Sequence, residues 1–223
     1  MRQSGISVIF DMDGTIFDTE RLVLDCWERI GERHGIPGIR EVFMRCIGTN
    51  KVRTQEIVFE HYGEDFPYEK FSEESSALFH EIERKEGIPL KPGAAELLQY
   101  LSGKKIPLGL ASSTRLAVVT QEMKAAGLYD YFQVVVGGDL LRNSKPAPDI
   151  YLMTCERMGV LPENTYAIED SYNGIRSAHS AGMHPIMVPD LMQATEEMRD
   201  LSDAVFEDLF QVKEYFGTVF GEA

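Results

Sequence analysis

From about residue 106 onward the chain alternates two hydrophobic patterns. Short apolar runs are followed by segments in which apolar residues recur every three or four positions. "IPLGLASS" (106–113) is apolar and ends in hydroxyls. Leu116, Val119, Met123 and Ala126 follow at helical spacing, and Gly127 closes the segment. "FQVVVGGD" (132–139) reads as a buried strand, and "DIYLMTCERMGV" as a helix with a glycine stop. "TYAIED" (165–170), "NGIRSAHSAG" and "HPIMVPD" continue as strand, helix and strand, with "DAVFED" a further strand near the end. At the other end of the chain, "VIF" (8–10) runs straight into "DMDGT". Strands alternating with helices of about 10–15 residues predict βαβ units and a parallel sheet covered on both faces. Right-handed crossovers then require an α/β, doubly wound, Rossmann-like core.

Residues 18–87 break this rhythm. "DTERLVLDCWERIGERHG" places Val23, Trp27 and Ile30 on one helical face. "KVRTQEIVFEHYG" and "YEKFSEESSALFHEIERKEG" are also amphipathic and rich in charge. The pattern predicts an all-helical insertion over 18–87, set into a core formed by 1–17 and 88–223. Pro92-Gly93 opens the helix through Leu97, Leu98 and Leu101 that returns the chain to the core.

Composition narrows the partners. A net charge of -14 argues against nucleic acid and anionic membranes, both of which need clustered Lys and Arg. A small anionic substrate stays open, because a few local cations and a metal can dominate one pocket. Cys26, Cys46 and Cys155 form no CxxC pair, so neither a zinc site nor a disulfide framework is indicated. The N-terminus lacks the apolar run of a signal peptide, and no stretch approaches the ~20 apolar residues of a membrane span. A cytoplasmic, monomeric protein is expected.

In doubly wound folds the site lies beyond the carboxyl ends of the strands. Polar residues gather at those ends. The first strand delivers Asp11 and Asp13, the 106–112 strand Ser112, Ser113 and Thr114, and the 165–170 strand Glu169 and Asp170. "NSKPAPD" adds Lys145 in a proline-stiffened loop. Two carboxylates side by side repel unless a cation lies between them or one keeps its proton. Hard oxygen donors on strand ends suit Mg2+, and a metal between Asp11 and Asp170 would relieve the repulsion. Lys145 and the Ser112 hydroxyl could hold phosphoryl oxygens, Asp11 could attack as a nucleophile, and Asp13 could move a proton. Thr114 is also expected to cap the following helix. His34, His61, His80, His179 and His184 show no ligand spacing and are expected at the surface or in packing. Trp27 is expected in the core of the helical insertion.

"DMDGTIFDT", "GLASST", "SKPAPD" and "IEDSYNGI" resemble, in order, the motifs of haloacid dehalogenase-like hydrolases. The helical insertion after the first motif resembles the cap of the subgroup containing phosphoglycolate phosphatases, small sugar phosphatases and β-phosphoglucomutases, which implies that 18–87 is a helical cap domain. The resemblance implies that Asp11 is the nucleophile, Asp13 the acid/base, and Ser112 and Lys145 phosphate ligands. It also implies that Asp11, the Asp13 carbonyl and Asp170 hold Mg2+, with Glu169 helping directly or through water. The expected reaction is hydrolysis of a small phosphate monoester, with a sugar phosphate the expected substrate, through an aspartyl phosphate.

An isomerase of the β-phosphoglucomutase kind is the alternative. In such family members a glycine-containing cap loop reads the leaving group. Here that loop is "RCIGTNKVRTQE", with Gly48, Thr49, Asn50 and Lys51, and Arg45 and Arg53 nearby. The mutase pattern resembles G-x-S-R with a His early in the first cap helix, whereas this chain has Lys51 and Val23. A non-enzymatic phospho-receiver is the remaining reading. Receivers, however, carry adjacent acids after the first strand and no helical insertion of roughly 70 residues.

Overall fold

A computed structural model describes residues 5–49 and 51–222. The chain divides into two compact units, one of residues up to Asp18 together with Leu90 onward, the other of Thr19–Pro89.

The first unit is a six-stranded parallel sheet: β1 (Ser7–Phe10), β2 (Leu108–Ser112), β3 (Val134–Gly137), β4 (Thr165–Glu169), β5 (His184–Met187) and β6 (Ala204–Val205). Their order is β3-β2-β1-β4-β5-β6, so the direction of winding reverses between β1 and β4. β1 is buried along its whole length, as a central parallel strand must be. Its register places Phe10 beside Leu110 on one side and Ile168 on the other. Five helices alternate with these strands: α5 (Ala94–Gly103), α6 (Leu116–Ala125), α7 (Asp149–Met158), α8 (Tyr172–Ser180) and α9 (Glu196–Leu201). α10 (Leu209–Val219) follows β6. α7 packs on β2 and β3, and α8 on β4 and β5. Ile9, Ala111, Val136 and Ala167 of the sheet share a core with Ile150, Tyr151 and Cys155 of α7.

Two chain crossings are pinned into this unit. Phe17 and Leu90 form an antiparallel bridge, and the Lys91 amide donates to the Ile16 carbonyl at 2.8 Å. The buried Lys91 ammonium lies 2.6 Å from Asp190 and 3.6 Å from Asp18.

The second unit holds α1 (Thr19–His34), α2 (Ile39–Cys46), α3 (Lys51–Tyr62) and α4 (Tyr68–Glu86). Its core is aromatic. The Trp27 ring packs edge-on against Phe43 at 5.2 Å and Phe71 at 5.1 Å. Trp27 is therefore a core residue, as expected. Leu22, Cys26 and Ile30 are buried with it on α1, while Val23 is only half-buried. α2 was not expected from the chain's rhythm, yet Ile39, Val42, Phe43 and Cys46 are its buried stripe. No helix among the described residues is long and apolar enough to cross a membrane.

Candidate active site

The site forms where β1 and β4 end. The Asp11 amide donates to the Ile168 carbonyl at 3.0 Å, which seats Asp11 directly beside Glu169. The chain then turns tightly: the Gly14 amide donates to the Phe17 carbonyl and the Ile16 amide to the Met12 carbonyl, each at 2.8 Å. Gly14 has φ +81°, and a Cβ there would run into the Asp170 carboxylate. Glycine is thus needed both for the turn and for the approach of Asp170.

Lys145 arrives from the loop before α7. The Ser177 hydroxyl donates to the Ala147 carbonyl at 2.7 Å and holds this loop against α8. The Lys145 ammonium donates to Asp11 Oδ1 at 2.6 Å, to Glu169 Oε1 at 2.5 Å and to the Ala111 carbonyl at 3.2 Å. An ammonium has three protons, and all three are used. The Lys145 side chain is 6% exposed, Asp11 is 6% exposed and Glu169 is fully buried.

Asp13, two residues on from Asp11, is half-buried. Thr114 Oγ1 donates to Asp13 Oδ2 at 2.9 Å, and Ser112 Oγ lies 3.5 Å from the same oxygen. The Ser112 hydroxyl also accepts from the Thr114 amide at 3.0 Å. Ser113 is exposed. The expectation that Thr114 caps the next helix is corrected here. Its hydroxyl is turned to Asp13, and the first amide of α6, Leu116, is served by Asp139 Oδ1 at 2.8 Å. Asp139 lies after β3, too far along the chain for a local capping pattern to reveal it.

Asp170, 9% exposed, accepts from Thr15 Oγ1 at 3.4 Å. Carboxylate oxygens of Asp11, Glu169 and Asp170 all lie within 4.8 Å of one another. A hard, all-oxygen donor set of this span fits Mg2+, which takes one or two carboxylates and keeps several waters. Glu169 is held at both of its oxygens. Its Oε1 accepts from Lys145 and from the Tyr151 hydroxyl at 2.6 Å, its Oε2 from the Ser171 hydroxyl at 3.1 Å and the Ser171 amide at 3.4 Å.

The electrostatics follow from burial and an excess of acids. Burial pushes the Asp11 carboxyl up to about 8; Lys145 opposes this, while Glu169 and Asp13 add to it. Burial disfavours the Lys145 ammonium, but Asp11 and Glu169 more than offset that and raise its pKa. One cation among the four carboxylates of Asp11, Asp13, Glu169 and Asp170 leaves surplus negative charge, and a retained proton on Asp11 relieves it. The stability consequence has a definite sign. A folded-state pKa raised above the unfolded one gives stability that is full below the ordinary carboxylate range and is lost as pH rises through about 8. Thermal melts of EDTA-treated protein across that range should show a falling Tm, and the fall should be shallower in Asp11→Asn. Parallel curves for the two proteins would contradict this assignment.

The expected cap residues lie in the helical unit. Gly48 is exposed with φ +72°, and Lys51 is exposed at the start of α3. Asn50 lies outside the described residues. Lys51 lines a cavity with Gln55, Tyr68, Glu69, Ser72 and Glu73. Arg45 and Arg53 both pair with Glu60, at 3.0 and 2.8 Å, and so are engaged within their own unit. The histidines fit surface roles: His34 contacts Glu74, His80 contacts Glu83 and His184 contacts Asp203.

Residues 8–188 match the model of the family described as haloacid dehalogenase-like hydrolase. A phosphorylated carbohydrates phosphatase of Thermotoga maritima is 35% identical over 184 residues, 81% of this chain and 83% of the relative. A beta-phosphoglucomutase of Bacillus subtilis is 31% identical, covering 94% of this chain and 96% of the relative. Among solved structures, one from Thermotoga maritima provisionally described as a beta-phosphoglucomutase superposes with a TM-score of 0.77. It is 30% identical, covering 94% of this chain and 99% of that one.

Proposed function

The chain belongs to the haloacid dehalogenase-like hydrolases, and from that premise we propose a Mg2+-dependent sugar-phosphate phosphatase that works through a phosphorylated Asp11. It is a phosphoric monoester hydrolase, in keeping with the phosphatases among its relatives. The observation that carries the mechanism is the buried Lys145 ammonium between Asp11 and Glu169, with Asp13 beside them.

The residues divide the work as follows. Asp11 attacks phosphorus and takes the phosphoryl group, and Asp13 protonates the departing alcohol oxygen. Asp13 then draws a proton from water, which attacks the phosphorus and frees Asp11. Lys145, turning one of its protons from its present acceptors to the phosphoryl group, and Ser112 hold the phosphoryl oxygens, with Ser113 and Thr114 lining the same strand end. The Thr114 hydroxyl keeps Asp13 in place between the two proton transfers. Asp11, Asp170 and the Asp13 carbonyl would hold the metal, which supplies charge neutralisation at the phosphoryl oxygens when bound. Glu169, with both oxygens already hydrogen-bonded, acts through Lys145 or a water.

Asp13→Asn should lower kcat by ~10²–10⁴-fold, with the larger losses on the poorer leaving groups. A change under about threefold across a series of leaving groups would count against the proton-transfer role. Activity should disappear in EDTA and return with Mg2+ or Mn2+, and Asp170→Ala should weaken metal binding. Full activity in a verified metal-free preparation would contradict the metal assignment.

The Bacillus subtilis relative supports a second reading, an isomerase using the same phospho-aspartate. A phosphate-release screen over small phosphate esters tests the first reading. Supplying β-glucose 1-phosphate with a trace of the bisphosphate tests the second. Free phosphate as the main product supports the phosphatase; glucose 6-phosphate formed many times faster replaces it with the mutase.

A further inference from the structure

We propose that Tyr151 is a positioning residue, which fixes Glu169 and through it holds the Lys145 ammonium against Asp11. This deepens the reading of the site given above and rests on it. Tyr151 lies on α7 and is fully buried. Its hydroxyl donates to Glu169 Oε1 at 2.6 Å, the same oxygen that accepts from Lys145 at 2.5 Å. The Lys145 ammonium also stands 5.1 Å from the centre of the Tyr151 ring, within reach of its negative face. One side chain thus touches both members of the buried pair, with the polar end on the acid and the ring on the base.

The alternative is that Tyr151 merely fills the core. Its ring belongs to the apolar cluster of Ile9, Ala111 and Val136. A phenylalanine would fill that space equally well. The hydroxyl is the part that packing does not require, and it is aimed at the carboxylate. Without it, Glu169 Oε1 keeps only Lys145, and the carboxylate is held only by Lys145 and the longer bonds from Ser171. The Lys145 ammonium then has an acceptor that swings. Partners one layer behind a metal site typically cost ~10–100-fold in metal affinity or activity when removed.

The test compares Tyr151→Phe with Thr154→Val. Thr154 is also on α7 and is fully buried, and its hydroxyl donates to the Ile150 carbonyl at 2.7 Å within its own helix, so the second variant loses a buried hydroxyl away from the site. In the unmodified protein the Lys145 side-chain NH3+ should give a slowly exchanging nitrogen-15 NMR signal, because all three of its protons are bonded. Tyr151→Phe should broaden that signal away while Thr154→Val keeps it. Calorimetric Mg2+ affinity and kcat should each fall about tenfold in Tyr151→Phe, with KM little changed, and should stay within about twofold in Thr154→Val. If the two variants behave alike in all three readouts, Tyr151 is structural and the inference is overturned. The NMR readout needs neither metal nor ester, so it separates failure of this inference from failure of the phosphatase reading. If Tyr151→Phe does not fold, 3-fluorotyrosine at position 151 serves instead. Its fluorine resonance should move when Glu169 is changed to Gln, and an unmoved resonance overturns the inference.

Discussion

Asp11→Asn is expected to abolish turnover, by at least ~10³-fold, in a protein that remains folded. The amide is nearly isosteric with the carboxylate but is a poor nucleophile and a poorer metal ligand. Folding should survive because the substitution removes a burial cost. Asp11 is 6% exposed, and its pKa is pushed up to about 8 mainly by that burial. Lys145 keeps Glu169 and the Ala111 carbonyl as acceptors. The Tm of the EDTA-treated variant near neutral pH should therefore equal or exceed that of the parent. Steady-state kinetics and melts on the purified variant check both halves. Kinetics like those of the parent would remove Asp11 from the mechanism, and a collapsed Tm would show its role to be structural.

Lys145→Ala is expected to fail in both respects. Asp11 and Glu169 would share a buried space without their cation. Breaking a buried pair by removing one partner typically costs about 3–5 kcal/mol. Asp11, whose pKa burial already raises, relieves part of that cost by taking up a proton, so the loss of Tm should be smaller near pH 5 than near pH 8. Activity should fall by well over tenfold, because phosphoryl charge loses its fixed counter-charge. Lys145→Met, which keeps the length of the side chain but not the charge, should match Ala in activity. A variant at this position that hydrolyses esters normally would mean that Lys145 serves only stability.

Much of this architecture is readable from residue order. A parallel sheet puts every strand's carboxyl end on one edge, so Asp11, Ser112 and Glu169 must converge once their runs are taken as strands. Lys145 follows because its loop leaves β3 at that same edge. Contacts set by packing depth are harder to read. Tyr151 sits within a helix whose pattern says only that it is buried. That its hydroxyl meets Glu169 depends on how α7 lies across β2 and β3. Asp139 caps a helix that begins before it in the chain, which no local motif anticipates. The Lys91–Asp190 pair joins residues far apart in sequence and carries no signature. The second helix of the Thr19–Pro89 unit did leave a signal: Ile39, Val42, Phe43 and Cys46 follow helical spacing. Its short length and its start after "GIPG" obscured it.

The stereochemical course of hydrolysis tests the central claim most directly. An ester carrying a chiral, isotope-labelled thiophosphate is hydrolysed in labelled water, and the configuration of the released thiophosphate is read. Two in-line displacements, first by Asp11 and then by water, predict overall retention at phosphorus. Inversion would mean that water attacks the ester directly, and would contradict an aspartyl phosphate at Asp11.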